Sequence, residues 1–248
     1  MKMESREYQE LFSEYPGIYG DWGFPELSLT DKYVYKREWK GRGLPAVEVE
    51  QFVMAYQVSQ DRIRAMLPQG FESLRPVLRI NTEIRNEDVV YIEFNTPVEA
   101  DGRRGWLNID CWKSSSGDDL HFSRKGDRVE ITAPFLSLSY QGIGATGGCP
   151  AEKDNEGCYF LKNDREFRPA EKIEADREFC SCGFQWRFHE GDAGGEGTGE
   201  MRAARAQEPE EKYDQLPLSA ENAAKLTCFC VLGAYRVRFR RYDNREMT

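Results

Sequence analysis

Between Phe52 and Glu93 the chain reads FVMAYQVSQDRIRAMLPQGFESLRPVLRINTEIRNEDVVYIE, and this stretch narrows the folds open to it. Phe52 to Val58 is apolar and rich in strand formers, which predicts a buried strand. Ser59 follows as a helix N-cap; Ile63, Met66 and Leu67 supply a short apolar face, and Pro68 with Gly70 ends the helix. Val77 to Ile84 alternates, with Val77, Arg79, Asn81 and Glu83 on one face and Leu78, Ile80, Thr82 and Ile84 on the other. Val89 to Phe94 predicts a third strand. The unit is strand, short helix, strand, strand.

The rest of the chain continues in the same idiom. Asn95-Thr96-Pro97 and Asp101-Gly102 read as turns, and Trp106 to Trp112 as an alternating strand. Lys125-Gly126-Asp127 lies between two short alternating runs, a hairpin signal. Phe135 to Tyr140 and Phe179 to His189 predict further strands, and the glycine-rich Glu190 to Gly199 predicts a mobile surface loop. Ser219 caps a short helix over Ala220 to Lys225. Val231 to Tyr242 alternates with Tyr235, Val237 and Phe239 inward and Arg236, Arg238 and Arg240 on a solvated face. Many strands joined by turns, with two short helices, predict a mainly antiparallel α+β fold. A turn-rich aromatic arm over 1–45, with a charged strand from Thr30 to Trp39, precedes one domain over 46–248.

Composition excludes several classes. With 34 basic and 43 acidic residues the net charge is −9, which argues against nucleic acid as a partner. No apolar run reaches the ~18 residues of a membrane span, and the polar start MKMESREYQELF is not a secretory leader. Seven cysteines and no leader fit reduced thiols in a cytoplasm. The glycines of Gly142 to Gly148 resemble a phosphate-cradling loop only faintly, with no Lys-Ser/Thr after them.

The central unit resembles the acetoacetate decarboxylase family. Met66-Leu67-Pro68-Gln69-Gly70-Phe71, Pro76-Val77-Leu78-Arg79 and Glu83-Ile84 match the family's helix-closing turn and the strand after it. Leu216-Pro217-Leu218, a helical stretch and a strand through Cys230 to Phe239 match its last segment. The resemblance implies a closed β-barrel with a few helices, a homo-oligomer, and lyase-type chemistry on a keto acid without cofactor or metal. It also implies a lysine whose pKa is lowered by burial and a neighbouring cation. That lysine forms a Schiff base with the substrate, and the iminium serves as electron sink.

By local matching of the Tyr-x-Glu pattern, Tyr91-Ile92-Glu93 makes Glu93 the carried-over pocket acid. The family's paired Lys-Lys is absent from this chain. Lys113, beside Trp112 and Cys111 at the end of a strand, is the candidate nucleophile, in a setting that can desolvate an amine. Arg79 is the candidate clamp for a substrate carboxylate, and Tyr91 and Trp112 complete the binding set. Asp110, Asp118 and Asp119 lie near Lys113 in sequence.

Two other functions fit the residues. A small-molecule-binding barrel of the same fold, with no covalent step, accommodates the missing Lys-Lys. A zinc-stabilised interaction module would use Cys180, Cys182, Cys228 and Cys230, since i and i+2 share a strand face. Cys149 and Cys158 bracket a polar loop and can pair if oxidised. His121 and His189 are the only histidines, which leaves a catalytic triad or a histidine metal centre little to work with.

Overall fold

The structure is a computed structural model and describes residues 46–144, 147–150, 157–161, 166–168, 176–191, 193–199 and 201–242. The chain divides into two compact units, Met1–Ala46 with Tyr242–Thr248 and Val47–Arg241, and nearly all described residues belong to the second. The expected arm over 1–45, its strand included, and the Cys149 side chain lie outside the described residues.

Strand β1 (Ala46–Gln57) leads through helix α1 (Gln60–Met66) and the short β2 (Glu72–Ser73) into β3 (Val77–Arg85), β4 (Val89–Ala100) and β5 (Arg103–Lys113). Next come β6 (His121–Lys125), β7 (Arg128–Thr132), β8 (Leu136–Gly142), β9 (Gly147–Pro150), β10 (Gly157–Phe160) and β11 (Glu166–Arg168). The long β12 (Asp176–Phe188), then β13 (Gly194–Thr198), helix α2 (Ala220–Ala224) and β14 (Cys230–Tyr242) complete the order. Both helices start as expected: Ser59 accepts from the Arg62 N–H and Ser219 from the Asn222 N–H, each cap contributing about 1 kcal/mol.

All strands join one sheet in the order β11-β10-β5-β4-β3-β1-β14-β12-β8-β7-β6, with β2 on β4 and β9 and β13 on β12. The ladders with assigned register are antiparallel except β10 on β5. The expected closed barrel is not what forms. Among the described residues the path ends at β11 and β6 without a ladder between them, so the sheet is open. Alternation fixes which face of a strand is buried but says nothing about whether the last strand finds the first. The sheet instead curls until its two wings share one core. Phe52 of β1 stacks on Tyr140 of β8 at 4.7 Å, Tyr56 on Trp186 of β12 at 4.9 Å, and Phe94 of β4 meets Phe188 at 5.4 Å.

Three local readings change. Asn95-Thr96-Pro97 is not a turn: β4 runs on through a bulge at Phe94/Asn95 and pairs with β5 to Ala100. Pro97 falls between the β3 ladder, which ends at Asn95, and the β2 ladder, which begins at Val98, and the Val77 carbonyl there accepts from the Thr96 hydroxyl at 2.9 Å. The glycine-rich segment before residue 200 contains β13, paired to β12. A Cβ at Gly197 would lie 2.6 Å from Val231, and one at Gly195 2.7 Å from the Trp186 ring. Those glycines let a strand lie flat against large side chains rather than free a loop. Between Gly142 of β8 and Gly147 of β9 the other glycine stretch links two strands that both pair with β12, and among the described residues it leads into strand rather than helix.

The third change concerns β14. Arg238 and Arg240 are partly exposed, but Arg236 is 4% exposed and sits inside the sheet's end. Around it lie Glu50, Asp127 and Glu178 at 3.8 to 4.0 Å, and its Nη1 has no hydrogen-bond partner. Glu50 also accepts from Arg238 at 3.0 Å and from Arg124 of β6. Arg124 thus ties the last strand of the sheet to β1 by charge, where no ladder joins them.

From Met201 to Leu218 the chain runs without regular structure along α1. Asp61 accepts from the N–H groups of Glu210 and Glu211, Arg62 covers the Tyr213 ring at 3.9 Å, and Leu216 N–H donates to Ala65 O.

Candidate active site

Strands β3 and β4 are buried along most of both faces, and β5 is half-buried from Asp110 to Lys113. Leu78, Ile80, Ile84, Val90, Ile92 and Phe94 point into the core. The opposite face carries the polar alternates, and the ladder registers set them in rows. Glu83 lies across from Tyr91 and Tyr91 from Lys113; Asn81 from Glu93 and Glu93 from Cys111; Arg79 from Asn95 and Asn95 from Asn108. The bulge at Phe94/Asn95 keeps Asn108 and Cys111 on one face, although the two are three positions apart.

Burial makes each polar group there answerable for its partners. Glu93 is 6% exposed and Asn95 fully enclosed. Glu93 accepts from Asn95 Nδ2 at 2.8 Å, from the Tyr91 hydroxyl at 3.2 Å and from Cys158 Sγ at 3.6 Å. Asn95 in turn accepts from Arg79 Nε at 2.8 Å. Glu83 pairs with Arg85 at 2.9 Å and accepts from Gln51. The Arg79 guanidinium lies 3.6 Å over the Trp106 ring and that of Arg85 4.8 Å over Tyr91. Asn81 Oδ1 is buried with no hydrogen-bond partner. Burial, then the charge of Glu93, push the Tyr91 phenol far above its ordinary range, so it stays a hydrogen-bond donor.

The face therefore carries four of the five sequence candidates: Tyr91 lies across from Lys113 and Glu93 in the next row, while Arg79 stands a further row away with its guanidinium on Trp106, seven residues along β5 from Lys113. Trp112 does not join them. Alternation turns it to the core, where it stacks on Phe135 at 3.8 Å. Lys113 is half-buried at the end of β5, and its backbone N–H donates to Asp118 Oδ2 at 2.7 Å. Asp110 accepts from the Cys111 N–H and Asp119 pairs with His121, so these carboxylates serve local structure. Asn81, Asn95, Asn108 and Cys158 were not legible as site residues. The period-two run of polar residues at 79, 81 and 83 and at 91, 93 and 95 is the signal that marks the first two.

The cysteine pairs stand apart. Cys180 lies opposite Arg236, six residues along β14 from Cys230, which is ~20 Å of extended strand. Burial, with Cys180 adding to it, pushes the Cys182 thiol up to about 12, and burial raises Cys228 as well, so both favour the thiol over the metal-binding thiolate. Among the described residues no group of three His, Cys, Asp or Glu side chains has a metal-binding arrangement.

No family model matches the chain, and no curated protein does. Solved structures do. An acetoacetate decarboxylase from Legionella pneumophila subsp. pneumophila str. Philadelphia 1 is similar over 79% of this chain and 84% of its own, with a TM-score of 0.47 and 10% identity. The enduracididine biosynthesis enzyme MppR, complexed with the condensation product of pyruvate and imidazole 4-carboxaldehyde, is similar over 91% and 95%, with 0.46 and 14%. An acetoacetate decarboxylase-like enzyme from Sphingomonas wittichii RW1 is similar over 79% and 89%, with 0.39 and 8%. These solved neighbours are acetoacetate decarboxylase and like enzymes, the family the sequence motifs resemble. At such scores and identities they transfer neither an activity nor the role of any residue.

Proposed function

We propose that the protein is a small-molecule enzyme of the acetoacetate decarboxylase-like type, acting on a keto acid or related carbonyl compound through an imine on Lys113. The observation that carries this is the single sheet face that holds Lys113 across from Tyr91, with Glu93 in the adjacent row and Arg79 in the row beyond. In the proposed reaction the neutral Lys113 amine adds to the substrate carbonyl and water is lost, giving an iminium. The iminium accepts the electron pair released as carbon dioxide leaves, the resulting enamine takes a proton, and water restores the lysine. Glu93 with the Tyr91 hydroxyl serves as the proton-carrying group, and the outer edge of the Arg79 guanidinium holds the substrate carboxylate.

No helix among the described residues is long and apolar enough to cross a membrane. A cytoplasmic homo-oligomer remains part of the proposal. A second reading, reversible binding of the same compounds, is favoured by the carboxylates of Glu83 and Glu93, which are already engaged by Arg85, Asn95 and Tyr91.

Borohydride trapping tests the first reading. The protein is incubated with acetoacetate, pyruvate or larger keto acids, reduced and weighed intact beside Lys113→Ala. An increment present in the parent and lost in the variant is expected. An adduct that survives the substitution moves the nucleophile elsewhere. Folded protein that gives no adduct, yet binds a keto acid saturably by calorimetry, leaves the second reading.

A further inference from the structure

On the outer surface of the other wing, a serine and a histidine 52 residues apart meet in a defined geometry. Ser137 lies in β8 between the buried Leu136 and Leu138, so its hydroxyl points outward. His189 follows β12 directly, and its backbone N–H donates to Phe135 O at 3.0 Å. The tight turn before β8, where Leu136 N–H returns to Ala133 O, presents Pro134 O to the ring. Nδ1 is 2.7 Å from Pro134 O, and Nε2 is 2.7 Å from Ser137 Oγ.

The proton positions follow from the partners. A backbone carbonyl only accepts, so Nδ1 carries a hydrogen and donates it to Pro134 O. In the neutral ring Nε2 is then the acceptor, and the Ser137 hydroxyl donates to it. A serine, a base held in the accepting tautomer, and a third group that orients the base are the relation an activated nucleophile requires. Arg187 stands directly across the ladder from Ser137 on the same face and is exposed.

We propose that Ser137, with His189 as its base, is a nucleophilic site that accepts acyl groups from small esters carrying a negative charge, with Arg187 as the cation that draws them in. Ser137 Oγ bonds to the ester carbonyl carbon, its proton passes to His189 Nε2, and the bond to the alkoxide breaks as that oxygen takes the proton. Water then releases the acid by the reverse path. The backbone N–H groups of β8 are committed to its ladders with β7 and β12, so the oxyanion has only the guanidinium to meet it. Slow acylation, not fast turnover, is the expected signature. The site lies on a different part of the sheet from Lys113 and does not depend on the imine proposal.

The test is an intact-mass time course of the full chain with 4-nitrophenyl acetate and with mono-4-nitrophenyl succinate, followed by peptide mapping. Expected is one acyl group on Ser137, absent in Ser137→Ala and unchanged in Ser139→Ala, which alters the next outward serine of β8. His189→Gln should slow acylation on the order of 10²-fold. His189→Asn, a second replacement of the ring, should slow it as much, which reads the base even if one variant misfolds. The succinate ester should react faster, and Arg187→Gln should remove that preference and slow both esters. Acylation elsewhere, no acylation of folded protein, or a rate indifferent to the His189 substitutions would overturn the dyad. Equal rates for the two esters would overturn the part given to Arg187.

Discussion

Two polar groups are buried in this sheet, and they are built in opposite ways. On the β3–β5 face, Glu93 is held by Asn95, Tyr91 and Cys158, mostly neutral partners, at 2.8 to 3.6 Å. At the β14 end, Arg236 faces three carboxylates, none nearer than 3.8 Å, while Glu50 beside it takes direct contacts from Arg124 and Arg238. Neutral donors fix a carboxylate's direction without cancelling its charge. A ring of opposite charges fixes a position in the fold instead. The first arrangement suits a site. The second suits a tie, because Arg124 belongs to the last strand of an open sheet and Glu50 to a central one.

If Glu50 is the tie, removing it should be the most damaging single change. Glu50→Ala takes the shared carboxylate from Arg124, Arg236 and Arg238 and leaves the last two only Glu178 and Asp127, an expected loss of about 3 kcal/mol in urea unfolding. The same residue carries an acid dependence. Burial works against its charge, but Arg124 and Arg238 outweigh burial and hold the carboxyl below its ordinary value. A depressed carboxylate stabilises the fold above its unfolded pKa, and that stability is lost as pH falls through the folded one. Glu50→Gln should therefore flatten the acid limb of stability against pH. An unaltered limb would assign acid sensitivity to other groups.

Asn95→Leu strikes the other group. It fills similar space but leaves Glu93 Oε1 only the long Cys158 Sγ contact and strands Arg79 Nε, with an expected loss of ~2–3 kcal/mol. Here the keto-acid adduct should fall along with stability, whereas Glu50→Gln should leave the adduct in place. Loss of the adduct in both variants would mean that the two groups are not separate devices.

Arg236→Met sharpens the contrast from the opposite side. Its contacts are long and its Nη1 is unpartnered, so an apolar side chain of similar length should cost less than about 1 kcal/mol and can stabilise. A loss as large as that of Glu50→Ala would show that the guanidinium, not the carboxylate, holds the end of the sheet.

Much of this was legible before the fold was known, and the limits have physical causes. Alternation gave the two faces of β3 and both helix caps, because period and capping are local. It could not reveal that the second face of β3 is also buried, since Asn81 and Glu83 read equally well as solvated. Arg236 was read outward for the same reason: its neighbours in sequence, Arg238 and Arg240, do point toward water. Glycines at 195 and 197 suggested mobility, yet the ring and side chain that require them, Trp186 and Val231, lie on other strands. Closure of the sheet and the meeting of Ser137 with His189 are likewise long-range facts that no local pattern carries.

The smallest expected change in stability is the one with the largest expected change in chemistry. Lys113 is half-buried at the end of β5, where strand and turn are held by its backbone N–H on Asp118 rather than by its side chain alone. Lys113→Met keeps that backbone bond and most of the side-chain bulk, so unfolding should move by less than about 1 kcal/mol. Borohydride trapping should nevertheless fall to background, because a thioether cannot form an imine. A stable variant with an intact adduct would take Lys113 out of the chemistry while leaving the polar face as its setting, and the nucleophile would have to be sought on that face. A variant that loses several kcal/mol would make Lys113 part of the tie-like architecture seen at Glu50, and the β3–β5 face would no longer divide from the Glu50 cluster as site from scaffold.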